Sequence, residues 1–394
     1  MRTRELLERL VGFPTVSRDS NLPLIDWVRD YLDDRGVHSQ LVTNAEGTKA
    51  NLFACIGPER EGGIVLSGHT DVVPVDGQPW SSDPFRLSER DGRLYGRGTS
   101  DMKGFIAVTL ALVPELVARR LERPVYLAFT YDEEVGCHGA AALIPQLRRV
   151  VPTPAAVIVG EPTNMRIATA HKGICFCRTV ATGTEAHSSL VHRGVSAVML
   201  AGELIAHIGE LARRAAQHPV TIAGLEPPFT TLTANVIHGG TAFNILAGRC
   251  ELEWEVRTVP GDHAVRYVEE IERRAAALVS EAQRTGRRCG IETTVIADVP
   301  ALAPEEGSAL ALVRDALSTE EPQIAIPFAT EAGQYQQAGW STVVCGPGDI
   351  DQAHRADEYV PIAQLEQCER FLRKLIASHC SAREEAGSPA RPAH

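Results

Sequence analysis

Short apolar runs alternate with stretches of helical pattern through most of this chain, and that alternation restricts the fold more than any other feature. Residues 1–35 read as helix, broken at 12–20 where Pro14 and small polar residues gather. Strands are then predicted at 51–56, 63–67, 125–130 and 155–160, with helices at 104–118 and 139–150. Strands separated by helices specify an α/β sheet covered on both faces. The order changes near Lys172. A strand at 173–182 is followed by a helix at 194–216, strands at 231–238 and 249–258, a helix at 263–282 and a strand at 290–296. That is the β-α-β-β-α-β order of a ferredoxin-like unit. Beyond Val299 come a helix at 306–318, a strand at 342–345 and a helix at 362–378. A chain of 394 residues exceeds one comfortable core. The simplest division is a discontinuous domain, 1–172 with 299–394, into which a compact α+β domain, 173–298, is inserted. The small, polar, proline-containing stretch 383–394 is expected to be disordered.

Charge and cysteine usage exclude several functions. Acidic residues outnumber basic ones 50 to 39, and no basic block is present, so nucleic acid is not an expected partner. No apolar run approaches the roughly 20 residues that span a bilayer, and the amphipathic start MRTRELLERLVGF lacks a signal-peptide core. Nine scattered cysteines form no C-x-x-C pair, which argues for reduced thiols and a cytoplasmic protein.

Five segments carry histidine or carboxylate side chains at strand ends or turns. The first is His69-Thr70-Asp71, directly after the apolar run Ile64-Val65-Leu66 and Gly68. Open α/β sheets bind ligands at such strand ends, and Asp71 can accept a hydrogen bond from the second nitrogen of a metal-binding imidazole. The others are Asp101 in the glycine-rich turn GRGTSDMKG, Glu133-Glu134 after an apolar strand, Glu161 in GEPT, and His354 in DQAHRADEYV. Singly, each has a plainer explanation: Asp101 as a helix N-cap, Glu133-Glu134 as a solvated helix start, Glu161 as a turn, His354 as a surface histidine. Together, two histidines and three carboxylates suit zinc, cobalt or manganese better than calcium or magnesium. A pair of metals roughly 3.5–4 Å apart needs a bridging ligand, for which Asp101 is suited. Adjacent residues on a strand end point opposite ways, so one of Glu133-Glu134 could bind metal while the other handles the proton of an activated water.

The segments SGHTDVVPV, LYGRGTSDMKG, YDEEVGCHG and VGEPT, with the later histidine, resemble the M20 family of co-catalytic metallohydrolases over nearly the whole chain. The resemblance implies that His69, Asp101 and Glu161 hold one metal, and that Asp101, Glu134 and His354 hold the second, with Asp101 bridging. It implies Glu133 as general acid/base and Asp71 as the partner that orients His69. The inserted domain would serve as lid and dimerisation domain of a homodimer, with His187 reaching the partner's site to stabilise an oxyanion; His192 is a less suitable neighbour. Asn244 in GGTAFNI and Arg257 in WEVR would bind a substrate carboxylate, with a surface pair to Glu253 or Glu255 as the alternative for Arg257. EPTNMRIATAHKG and the Phe328–Gly333 segment resemble the acetylornithine deacetylase subgroup, in which Thr330 and Glu331 would face the substrate. The implied reaction, N-acetyl-L-ornithine to L-ornithine and acetate, is a step of arginine biosynthesis. It uses two divalent ions, zinc first and cobalt as the alternative. Gln334-Tyr335-Gln336 and His238 depart from the subgroup pattern, which leaves room for a succinyl-diaminopimelate desuccinylase, another N-acyl-amino-acid deacylase or a dipeptidase. A non-catalytic binding protein of the same fold would have lost a ligand or the base, and none is missing here.

Overall fold

A computed structural model describes residues 1–217, 222–284 and 286–381; the 383–394 tail lies outside them. The chain opens with α1 (Thr3–Val11) and α2 (Leu22–Asp33), then β1 (Ser39–Thr43), β2 (Ala50–Ile56) and β3 (Ile64–His69). A hairpin of β4 (Ser88–Arg90) and β5 (Arg93–Tyr95) leads to α3 (Lys103–Ala118). Next are β6 (Val125–Thr130), α4 (His138–Val150), β7 (Ala156–Pro162) and β8 (Ala168–His171). The following stretch holds β9 (Gly173–Thr182), α5 (Ala197–Ala216), β10 (Thr231–Gly239), β11 (Arg249–Thr258), α6 (Ala264–Gln283) and β12 (Gly290–Val299). The last part adds α7 (Ser308–Leu317), β13 (Ile324–Ile326), α8 (Ala332–Gln337), β14 (Thr342–Gly346), β15 (Tyr359–Pro361) and α9 (Ile362–His379).

Eight strands form the main sheet, in the order β1-β2-β6-β3-β7-β14-β8-β13. Its centre is parallel: β3 pairs with β6 and β7, and β7 with β14. Every residue of β3, β6 and β7 is buried, because helices cover both faces of the sheet. One core packs α1, α2, α3, α7 and α9 on one face, and a second packs α4 and α8 on the other. The four strands β10-β11-β9-β12 form a separate antiparallel sheet with its own core under α5 and α6. This is the predicted β-α-β-β-α-β order.

Differences from expectation sit at element ends and in short elements that were not expected, β1, β4, β5, β8, β13, β15 and α8. The helix expected from 194 starts at Ala197, where the Ser196 hydroxyl accepts the Met199 N–H (3.4 Å). A separate 3-10 turn, Ser188–Arg193, precedes it. β12 runs to Val299 because a bulge between Val295 and Ala297 lets pairing with β9 resume. All nine cysteines are free; Cys175 and Cys177 point to the same interior, their sulfurs 3.7 Å apart.

Candidate metal centre and active-site cleft

Because β3, β6, β7 and β14 run parallel, their carboxyl ends open on one side of the sheet. β3 ends on His69, the turn after β6 carries Glu133 and Glu134, Glu161 lies at the end of β7, and His354 follows β14. Asp101 stands just before α3, whose N-cap is Met102, so Asp101 is not the helix cap. Its two carboxylate oxygens instead face different histidines. Oδ1 is 2.9 Å from His69 Nε2, and Oδ2 is 3.4 Å from His354 Nε2. Glu161 Oε1 lies 3.5 Å from His69 Nε2, and Glu134 Oε2 lies 3.0 Å from His354 Nε2. Ligand atoms of His69, Glu133 and Glu161 fall within 4.8 Å of one another, as do those of His69, Asp101 and Glu134. Glu133 therefore sits against the cluster, not apart from it. His69 is buried, whereas the His354 side chain is 54% exposed.

Two observations fit a divalent cation. The buried Glu161 Oε1 has no hydrogen-bond partner, a rare condition for a buried carboxylate oxygen. His69 Nδ1 donates to the Asp71 main-chain carbonyl (2.9 Å), which fixes the tautomer and leaves Nε2 as the atom turned to the carboxylates.

So much buried acid perturbs ionisation. Burial, with Asp101 and the other glutamates, pushes the Glu161 carboxyl well above the carboxylate range. Burial and its acidic neighbours raise Glu133 likewise, against the opposing effect of His69. Glu134 is pushed up to about 7, mainly by burial and then by Asp101. Hydrogen bonds to Asp101 and Glu134 lift His354 to about 10. Asp101 moves the other way: burial opposes its charge, but the two histidines hold it below its ordinary value.

The structure adds to one expected side-chain role and departs from others. The Asp71 carboxylate stays paired with His69 Nδ1 at 3.6 Å, while its main-chain carbonyl takes the shorter contact. It accepts the N–H groups of Glu133 (3.1 Å) and Glu134 (3.3 Å) and the Ser17 hydroxyl (2.7 Å). Asp71 thus anchors the Glu133-Glu134 turn. That pair does not continue a strand, since β6 stops at Thr130 and Asp132 adopts a left-handed conformation (φ 54°). Lys49 Nζ binds Asp132 Oδ1 (2.5 Å) and holds this turn from outside.

Thr330 and Glu331 do not reach the cleft. Thr330 is buried, its hydroxyl 3.1 Å from His171 Nε2. Glu331 lies behind β3, accepting the hydroxyls of Thr130 and Ser67, and burial raises it to about 7. A strand-to-helix turn reverses there, leaving Phe328 and Ala329 on the cleft wall instead. His187 and Asn244 are neighbours, the Ser188 N–H donating to the Asn244 carbonyl (2.9 Å), but neither lines the cleft of its own chain. Arg257 does line it, with its guanidinium paired to Glu255 (2.9 and 3.3 Å).

The cleft holds about 200 Å³ between the two sheets. Its floor is Asp101, Glu133, Glu134, Glu161 and His354, and its far wall is Ile174, Phe176 and Arg257. Ile174, Phe176 and Cys137, whose sulfur donates to Glu133 Oε1 (3.4 Å), were not foreseen. Nothing local distinguishes them from core residues. Glu358 and Arg97 were also missed, although an acid four residues after His354 and an arginine inside a glycine turn are visible signals.

The profile of Peptidase family M20/M25/M40 matches residues 65–378. An acetylornithine deacetylase from Myxococcus xanthus is 37% identical, the alignment covering 96% of this chain and 98% of that protein. One from Pectobacterium atrosepticum is 34% identical over 95% and 97% of the two chains. Among solved structures, an M20 family metallo-carboxypeptidase from Sulfolobus solfataricus superposes with a TM-score of 0.75 at 16% identity, covering 95% of this chain and 98% of that one. A dinuclear metal binding peptidase of the M20 family from Bacillus subtilis gives 0.64 at 16% identity, over 95% and 96%.

Proposed function

The chain belongs to peptidase family M20/M25/M40 and is a metal-dependent hydrolase of N-acyl-amino acids; we propose that it converts N-acetyl-L-ornithine to L-ornithine and acetate. One observation carries the chemistry: the two oxygens of Asp101 face two different histidines, each with its own glutamate partner. This supports a pair of divalent ions, zinc or cobalt, one held by His69, Asp101 and Glu161 and the other by Asp101, Glu134 and His354. Bound there, such ions supply Lewis acidity to the scissile carbonyl and lower the pKa of water.

The protein's own groups account for the remaining steps. Glu133 takes a proton from the attacking water at its carboxylate and returns it to the leaving nitrogen. Burial and the acidic groups around it raise its pKa, which favours holding the proton between the two transfers. Asp71, by accepting the Glu133 and Glu134 N–H groups, keeps that carboxylate in place. Arg257 would bind the substrate's α-carboxylate in exchange for Glu255, while Ile174, Phe176 and Phe328 enclose the acyl group and side-chain methylenes. His187 and Asn244, exposed and off the cleft, are proposed to serve a second copy of the chain as oxyanion donor and carboxylate ligand. The exposed Val236 and Ile237 on the edge strand β10, with the fully exposed Phe243, support such a homodimer. The division at 172/173 and 298/299 into catalytic and lid domains belongs to the same reading. No helix among the described residues is long and apolar enough to cross a membrane.

Chelator-stripped protein reloaded with zinc or cobalt is expected to give its highest kcat/KM on N-acetyl-L-ornithine. N-succinyl-diaminopimelate and simple dipeptides are the comparison substrates, and a preference for either would reassign the reaction. Glu133→Gln should lower kcat by about 10²–10⁴-fold while retaining both metals by elemental analysis. Unchanged turnover would remove Glu133 from the mechanism.

A further inference from the structure

The His354 side chain is half exposed, so packing alone does not fix it. Its backbone lies in the left-handed region (φ 62°), unusual for a non-glycine residue. Four residues further along the chain stands Glu358, almost completely buried. One oxygen of Glu358 accepts Arg97 Nη1 (2.7 Å) and the Gly98 N–H (3.0 Å). The other accepts the N–H groups of Ser100 (2.8 Å) and Asp101 (3.1 Å). The Glu358 main-chain carbonyl takes the Gly96 N–H (3.0 Å). A single carboxylate therefore gathers three main-chain donors of the loop that presents Asp101. Gly98, at φ +82°, supplies the curvature that turns those donors inward.

Arg97 closes the assembly. Its Nη1 also donates to the Arg355 carbonyl (3.2 Å) and its Nη2 to Gln78 Oε1 (2.7 Å). Gln78 Nε2 in turn donates to the His354 carbonyl (2.9 Å). The loop of Asp101 and the turn of His354 are thereby joined through one buried ion pair and one amide.

We propose that Glu358, with Arg97 and Gln78, is a positioning device that sets Asp101 and His354 in register and so builds the second metal site before any ion arrives. This rests on the two-metal reading above. A buried ion pair is a poor source of net stability, since desolvation offsets most of the attraction. Groups that orient metal ligands, by contrast, typically change affinity by about 10–100-fold when removed.

Cobalt titration of metal-stripped protein tests this, followed by calorimetry and visible absorption, with apo-protein melting recorded alongside. Wild type is expected to bind two ions in separable steps. Because Asp101 serves both ions, Glu358→Gln should weaken both steps, the one at the His354 site by about 10–100-fold and more than the other, whereas Gln78→Ala should weaken the His354 step alone, by several-fold. Gln78 is partly exposed, so its variant decides the matter if Glu358→Gln does not fold. Two unaltered binding steps in the folded variants would overturn the inference and leave the two-metal reading intact. So would equal weakening of both steps with a lowered apo-protein melting temperature, the pattern of a merely structural residue. A wild type that binds fewer than two ions would overturn the two-metal reading and this inference with it.

Discussion

His171 shows how one side chain is fixed by its neighbours. Nδ1 donates to the Lys172 carbonyl (2.9 Å), and Nε2 accepts from the Thr330 hydroxyl (3.1 Å), whose oxygen also receives the Ala332 N–H (3.0 Å). A second proton on the ring would meet that hydroxyl in a fully buried site, and burial holds the imidazole down to about 4. The unfolded imidazole titrates near 6.5, so below that pH the unfolded chain takes up a proton that the native state refuses. The resulting stability is complete above about 6.5 and is lost as pH falls toward 4, by about 3 kcal/mol. In urea unfolding, the gap between wild type and His171→Gln should therefore narrow over that window. A gap that stays constant from pH 7 to 4 would contradict this account. Thr330 thus acts through His171 on the interior, and its proximity in sequence to the cleft-lining Phe328 and Ala329 is no guide to its role.

At the scale of elements, the site depends on how closely α3 approaches the sheet. A Cβ built on Gly160 of β7 would lie 2.0–2.4 Å from ring carbons of Phe105 on α3. Glycine permits this approach, which brings Asp101, just before α3, to Glu161, the residue after Gly160. Gly160→Ala should destabilise by about 1–3 kcal/mol or more through overpacking and displace Glu161 with the strand. Circular dichroism melting would register this as a drop of several degrees; an unchanged midpoint would mean that α3 can withdraw freely. The central strands were legible because their runs are apolar throughout, as two-sided burial requires. The short strands β1, β4, β5, β8, β13 and β15 were not, since three to five residues carry too little period and each exists only through its pairing. The acid/base turn was misread for a similar reason. Alternation along a strand gives side-chain direction only while the strand lasts, and β6 ends three residues before Glu133.

Across the whole molecule, the cleft draws its floor from the eight-stranded sheet and its wall from the four-stranded one. Ile174, Val299 and Cys137 pack together at this junction. His187 and Asn244 lie elsewhere, which is the reason for proposing that a second copy completes each site. If so, Glu133→Gln and His187→Ala chains should each be nearly inactive alone. Mixed under conditions of subunit exchange, they should recover roughly a quarter of wild-type activity, since half the dimers then carry one intact site. No recovery, with exchange verified by mass, would place His187 outside the partner's site.

Local sequence determined which residues the strand ends deliver: His69, Asp101, Glu133, Glu134 and Glu161 lie where apolar runs stop or glycine turns begin, and His354 a few residues beyond one. It also determined that a β-α-β-β-α-β unit interrupts the larger sheet, because the order of periodic segments is a local property. The tertiary structure alone decided how the carboxylates divide their tasks. Asp71 turns to the Glu133-Glu134 backbone 62 and 63 residues away, Glu331 faces inward to Ser67 and Thr130, and Glu358 gathers a loop some 260 residues earlier. A carboxylate follows its donors, and when those come from distant strands and loops, their positions become definite only once the chain has packed.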